Sequence, residues 1–177
     1  MSAPKAALVR HYDEFRDCEL SKEYYSYRSE MIRRRLKYID MFLALFAGTS
    51  AVLSFSLWDV TVLGFQIGQL ALGMLVGLAI IVGIAKPYLK LEDALEKAAS
   101  IQGGYASLAH MHKDNVNRIV ESKDVDQDAE TIFQTLRSFR GMLHPNEDAN
   151  IDPAVKKRFF DKVNQRYPKD KFYYPPE

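Results

Sequence analysis

Arg137 and His144, with six residues between them (SFRGML), pair a permanent cation with a side chain that changes charge near neutral pH. Their plain reading is an arginine on a solvated helix face and a histidine at a helix C-terminus, where positive charge suits the dipole. His110 and His112 stand two apart, so a helix points them in different directions and they make no metal pair. Cys18 is the sole cysteine, which allows no internal disulfide framework and no thiolate metal spacing. Gly103-Gly104 lacks the lysine and the spacing of a phosphate-cradling loop, and no nucleophile motif frames a serine. The chain therefore reads as a non-enzyme, with no cofactor, no metal and no assigned catalytic residue.

The elements that would position these residues follow from an uneven distribution of charge. Basic and acidic residues nearly balance, at 24 against 23, so no global field points to nucleic acid. Residues 41–85 nevertheless contain one charged side chain, Asp59. Met41–Trp58 is an uncharged run of 18 residues and Val60–Ala85 one of 26. As helices these runs reach roughly 27 and 39 Å, against a hydrocarbon core of about 30 Å. The spacing predicts two membrane spans in an antiparallel hairpin, turned tightly at Trp58 and Asp59. Arg33, Arg34, Arg35 and Lys37 precede the first run and Lys86 follows the second, while the turn carries no basic residue. By the positive-inside rule both termini lie in the cytoplasm, and the arginine cluster meets anionic lipid headgroups. The polar stretch before residue 41 also argues against a cleaved secretory signal.

The faces of the spans suggest contacts beyond the hairpin. Ala44, Gly48 and Ala51 share one small-residue face of the first span with Ala47 and Ser54. In the second span Gly64, Gly68, Ala71 and Ala79 form one small face, and Gln66, Gln69, Gly73 and Gly77 fall nearly opposite. Small residues let helix backbones approach closely in lipid, and buried amides need a partner or water. A hairpin needs one packed face per helix, so the second face predicts self-assembly and the glutamine side a candidate aqueous path.

Outside the spans, residues 8–38 read as a helix with Leu20, Tyr24, Tyr27, Met31 and Tyr38 on one stripe. After Pro87, a second helix carries Leu91, Leu95, Ala98, Tyr105 and Ala109, with Gly103-Gly104 expected to weaken or bend it. The two stripes are expected to pack together. Ser122–Glu130 reads as a loop, Ala129–Leu143 as a short helix ended by His144-Pro145, and Asp152-Pro153 as the cap and first turn of a last helix to about Arg166. The tail from Pro168 is aromatic and proline-rich, and is expected to be extended. The fold class is all-α: a cytoplasmic helix over 1–40, a two-span hairpin over 41–86 and a cytoplasmic helical region over 87–177, assembled as a homo-oligomer.

A helix with YYSYRSEMIRRRLKYI, a tight two-span hairpin and a long helix with LEDALEKAASIQGGYASLA together resemble the SLATT family of bacterial two-span effectors, over residues 10–165. The likeness rests on layout and on Tyr, Ala and Leu patterns. It implies an inner-membrane protein that permeabilises or depolarises the membrane in antiphage defence. It also implies a nearby signal-sensing or nucleotide-synthesising partner and no direct contact with nucleic acid. The Arg137–His144 gap is also similar to that of HEPN ribonucleases. That likeness would make the chain a membrane-anchored accessory of RNA-targeting CRISPR systems, or a ribonuclease with a site formed between two protomers. A structural two-span subunit of a larger membrane complex is the remaining alternative.

Overall fold

From Lys5 to Ala47 the sequence contains neither proline nor glycine, and Pro4 sits in a first helical turn, where its missing N–H is harmless. In the computed structural model that stretch forms one long helix, α1 (Ala3–Ser56). The structure describes the backbone of residues 3–56, 67–144 and 151–169, and side-chain surroundings for 6–46, 73–144 and 151–169. Four more helices follow: α2 (Ile67–Tyr88), α3 (Leu91–Ser122), α4 (Gln127–Leu143) and α5 (Pro153–Arg166). Among the described residues the regular secondary structure is all helix, without a strand. They divide into two compact units, Met1–Ser29 with Lys97–Glu177, and Glu30–Glu96. The division passes within α1 and within α3.

The first unit is a helical bundle around Tyr12, Phe15, Cys18, Tyr25, Tyr105, Leu108, Val116, Ile119, Phe133, Leu136, Phe159 and Val163. Its turns carry the expected chemistry. Asp126 caps α4 by accepting from the Ala129 N–H at 2.7 Å, while Arg118 at the end of α3 reaches Asp126 at 2.7 Å. Asp152 caps α5 through the Ala154 N–H at 2.9 Å, with Pro153 in the first turn. The turn between α3 and α4 is shorter than the loop expected over Ser122–Glu130, because α4 begins at Gln127.

Two expectations fail for physical reasons. Tyr38 is exposed and Leu20, Tyr24, Tyr27 and Met31 are only half-buried; the inward face of α1 instead carries His11, Tyr12, Phe15, Cys18 and Tyr25. Polar residues share that face, so the apolar stripe alone misplaced it. Gly103-Gly104 does not interrupt α3. At Gly104 a Cβ would lie 2.9 Å from Leu143 Cδ1, so the missing side chain lets the end of α4 approach α3 closely.

In the second unit, α2 carries Pro87 within its last turn and gives way to α3 through Leu89 and Lys90, the latter at φ 46°. Residues 41–56 and 67–85 of the two apolar runs are helical. Trp58, Asp59 and the tight turn lie outside the described residues, as does the tail beyond Lys169. No single helix among the described residues is long and apolar enough to cross a membrane; one bent pair, Gly73–Tyr88 with Leu91–Ser122, has the length and composition together.

Candidate functional site

Aliphatic side chains in water cost roughly 25 cal/mol per Å², so a helix that exposes them on all sides implies a missing neighbour. The described part of α2 is such a helix. Met74 is 65% exposed, Ile81 64% and Ile84 61%, and Leu75, Val76, Leu78 and Ile80 are exposed as well. These positions advance round the whole helix rather than along one stripe. Gly73, Gly77 and Gly83 stand on the same segment, and a Cβ at any of them would meet no atom within 4 Å.

Charged residues border this segment. Arg33, Arg34, Arg35 and Lys37 on α1 are all exposed, with Arg34 bonded to Glu30 one turn earlier. Lys86 donates to Asp40 at 2.7 Å and lies 3.6 Å from Glu92, tying α1 to the end of α2. Ala44 is exposed. Gly48, Ala51, Gly68 and Gln69 are on helical backbone whose surroundings lie outside the described residues, and Gly64 and Gln66 lie outside them altogether.

The first unit holds polar groups in its core. Asn115 spends both amide hydrogens, one on the Ala129 carbonyl and one on His11 Nδ1, each at 3.1 Å. This arrangement assigns His11 as the neutral tautomer with its proton on Nε2, which faces Glu130 Oε2 at 3.6 Å. Burial pushes the His11 pKa down, against the opposing pull of Glu130. His112 is fully buried beside Phe133, with ring centroids 6.0 Å apart, and neither ring nitrogen has a hydrogen-bond partner among the described residues. Burial lowers its pKa to about 4. One signal of this cluster is legible in the sequence: His112 and Asn115 sit three apart on the inward stripe formed by Leu108, Ala109, Val116 and Ile119.

Arg137 is exposed, while His144 borders a cleft of about 370 Å³ whose cation on α4 is Arg140. Leu20, Tyr24, Tyr25 and Phe159 supply its apolar wall. Arg140 is held by Glu14, to which it donates, and lies 3.6 Å from Asp17. Burial opposes its charge, yet Glu14 more than offsets that and keeps it protonated. A guanidinium already matched by two carboxylates is a structural tie between α1 and α4 and has little capacity left for a phosphate. Against protein-family models, characterised proteins and solved structures alike, the chain finds no match.

Proposed function

We propose that this protein is a two-span membrane effector that self-assembles and permeabilises the bacterial inner membrane when its polar helical bundle is triggered. The observation that carries the reading is the described surface of α2, where Met74, Leu75, Val76, Leu78, Ile80, Ile81 and Ile84 are exposed and no described atom would meet a Cβ at Gly73 or Gly77. Lipid satisfies such a surface at no cost, and the backbone of a helix needs no partner there. The small face at Gly73 and Gly77 suits a second copy of the chain, since helix association in lipid favours small residues. Exposed Arg33, Arg34, Arg35 and Lys37 suit the anionic cytoplasmic leaflet. The SLATT resemblance adds the setting of antiphage defence and a signalling partner; the bundle of α1, α3, α4 and α5 is the part available to receive that signal.

The test is membrane potential, read with a voltage-sensitive dye in bacteria expressing the protein at graded levels. A Cβ at Gly73 or Gly77 would meet no described atom within 4 Å, so leucine at these positions is expected to act chiefly on what lies against α2 from outside. The wild type is expected to depolarise cells, and the Gly73→Leu/Gly77→Leu variant to lose that effect at equal membrane abundance. Full depolarisation by the double variant overturns the assigned face. Extraction of the wild type by alkaline carbonate overturns membrane insertion itself.

A further inference from the structure

Helix α5 is tied to α1 mainly along its C-terminal half. Lys162 and Arg166 donate to Glu23 at 2.7 and 3.1 Å, Arg16 donates to Asn164, and Tyr167 meets Phe15 edge-on at 4.9 Å between ring centroids. The first turns have one buried anchor, Phe159, whose ring lies 5.5 Å from that of Tyr27. With Phe159, Lys156 and Phe160 line the cleft of about 370 Å³ to which α1 and α4 also contribute. That volume is at the lower end of the roughly 300–1,000 Å³ range of small-molecule sites. Lys156 is exposed and makes no ion pair among the described residues, and Phe160 is 49% exposed. On the α1 side Tyr24 stands edge-on to Tyr25 at 5.1 Å, and Tyr25 is buried and stacked on Tyr105. This part of the lining is therefore set before any ligand arrives.

We propose that the cleft binds a small organic acid, with its carboxylate on the Lys156 ammonium and an aromatic or branched body among Leu20, Tyr24 and Phe160. Charge decides the class of ligand. Arg140 lines the same cleft but is already matched by Glu14 and Asp17, whereas Lys156 has no such match among the described residues. One ammonium neutralises one negative charge, and Asp17, also on the lining, opposes a second. A carboxylate therefore fits better than a phosphate ester. The apolar body accounts for Phe160, a large ring that otherwise spends half its surface on water. A ligand in this position bridges the first turns of α5 to α1, where the ion pairs to Glu23 do not reach. Because it binds the folded arrangement, it raises the protection of those turns by mass action. Every residue used belongs to the first unit, so the inference stands apart from the membrane reading.

Hydrogen exchange read by mass spectrometry on the full chain, kept in a neutral detergent, tests this with 2-naphthoate as the probe. Exchange over residues 153–160 should slow saturably as the probe is added. The uncharged counterpart, 2-naphthalenemethanol, should need about tenfold more for the same effect, since it forgoes a charge-assisted bond. Acetate, which lacks the body, should have no effect, and 2-naphthyl phosphate should act more weakly than the carboxylate. Lys156→Gln should raise the midpoint about tenfold, and Lys156→Arg should restore it. Lys157→Gln, on a different surface with Asp161, should leave the midpoint unchanged. Lys156 is exposed, so its replacement keeps the fold, which the ligand-free protection of residues 108–119 checks. Unchanged exchange up to the solubility limit of 2-naphthoate overturns the proposal, as does an equal response to the uncharged counterpart. A stronger response to the phosphate ester, or an equal shift in Lys157→Gln, overturns the assigned charge.

Discussion

Acid should loosen the first unit well above the pH at which its carboxylates titrate, and His112 should be the main cause. The ring is fully buried with neither nitrogen partnered among the described residues, and its pKa falls from 6.5 to about 4 on folding. Between those values the unfolded chain binds a proton that the folded chain refuses, so stability rises with pH across the window and is lost as pH falls through it. With one pKa unit equal to about 1.4 kcal/mol, the loss from pH 7 is about 2 kcal/mol by pH 5 and about 3 kcal/mol by pH 4. His11 acts in the same direction, because burial lowers its pKa as well. The groups facing this pair are Arg10, Glu14, Glu130 and Arg140. Glu130 and Glu23 have lowered values and withdraw their own stabilisation only at more acid pH, while Asp17, raised by its burial, works weakly the other way.

Hydrogen exchange read by mass spectrometry on the full chain gives the opening free energy of α3 across residues 108–119, after correction for intrinsic exchange rates. The wild type should lose roughly thirtyfold in protection between pH 7 and pH 5, the equivalent of that 2 kcal/mol. His112→Leu removes the titration and an unpaired buried polar group together. It should be as stable as the wild type or about 1 kcal/mol more stable at pH 7, and should shed most of the acid loss. A variant that keeps the whole loss, or a wild type with unchanged protection at pH 5, refutes the argument.

Local signals carried over from sequence to structure where a few adjacent residues decide the conformation. Asp152 with Pro153 opens α5, and α4 ends at Leu143 before His144, both as the sequence suggests. The continuity of α1 was equally legible, since nothing between Lys5 and Ala47 breaks a helix. What sequence could not supply was the choice among faces. The inward side of α1 carries His11, Arg16 and Glu19 beside its aromatics, because partners on other helices satisfy or surround them: Asn115 for His11 and Asn164 for Arg16. Those partners are 104 and 148 residues away, beyond the reach of any periodicity. The same distance problem hid Arg140. One turn from Arg137 on α4, it differs only in facing Glu14 and Asp17 of α1. For the two apolar runs, helical backbone is established over 41–56 and 67–85, while no single described helix is long and apolar enough to cross a membrane.

Two further predictions separate structural from functional roles. Cys18 is buried, and burial raises its thiol to about 12, so an aromatic disulfide reagent at pH 8 should react with it only as the first unit unfolds. Rapid labelling of native protein would show that the thiol is open to solvent. For Arg140 and Arg137 the expectations run opposite. Arg140→Met strands Glu14 without the cation it pairs with among the described residues, in a site where the two side chains are 27% and 19% exposed. Partial solvation discounts the full cost of a broken buried pair, leaving a loss of about 2 kcal/mol in α4 protection. Arg137→Ala, on an exposed face with no ion pair among the described residues, should change that protection by less than about 0.5 kcal/mol. Depolarisation should also survive Arg137→Ala, because nothing in the proposed mechanism touches that residue. If toxicity instead vanished with Arg137 while protection and membrane insertion stayed intact, the arginine would be acting on a substrate, and ribonuclease chemistry with His144 across two protomers would become the better account.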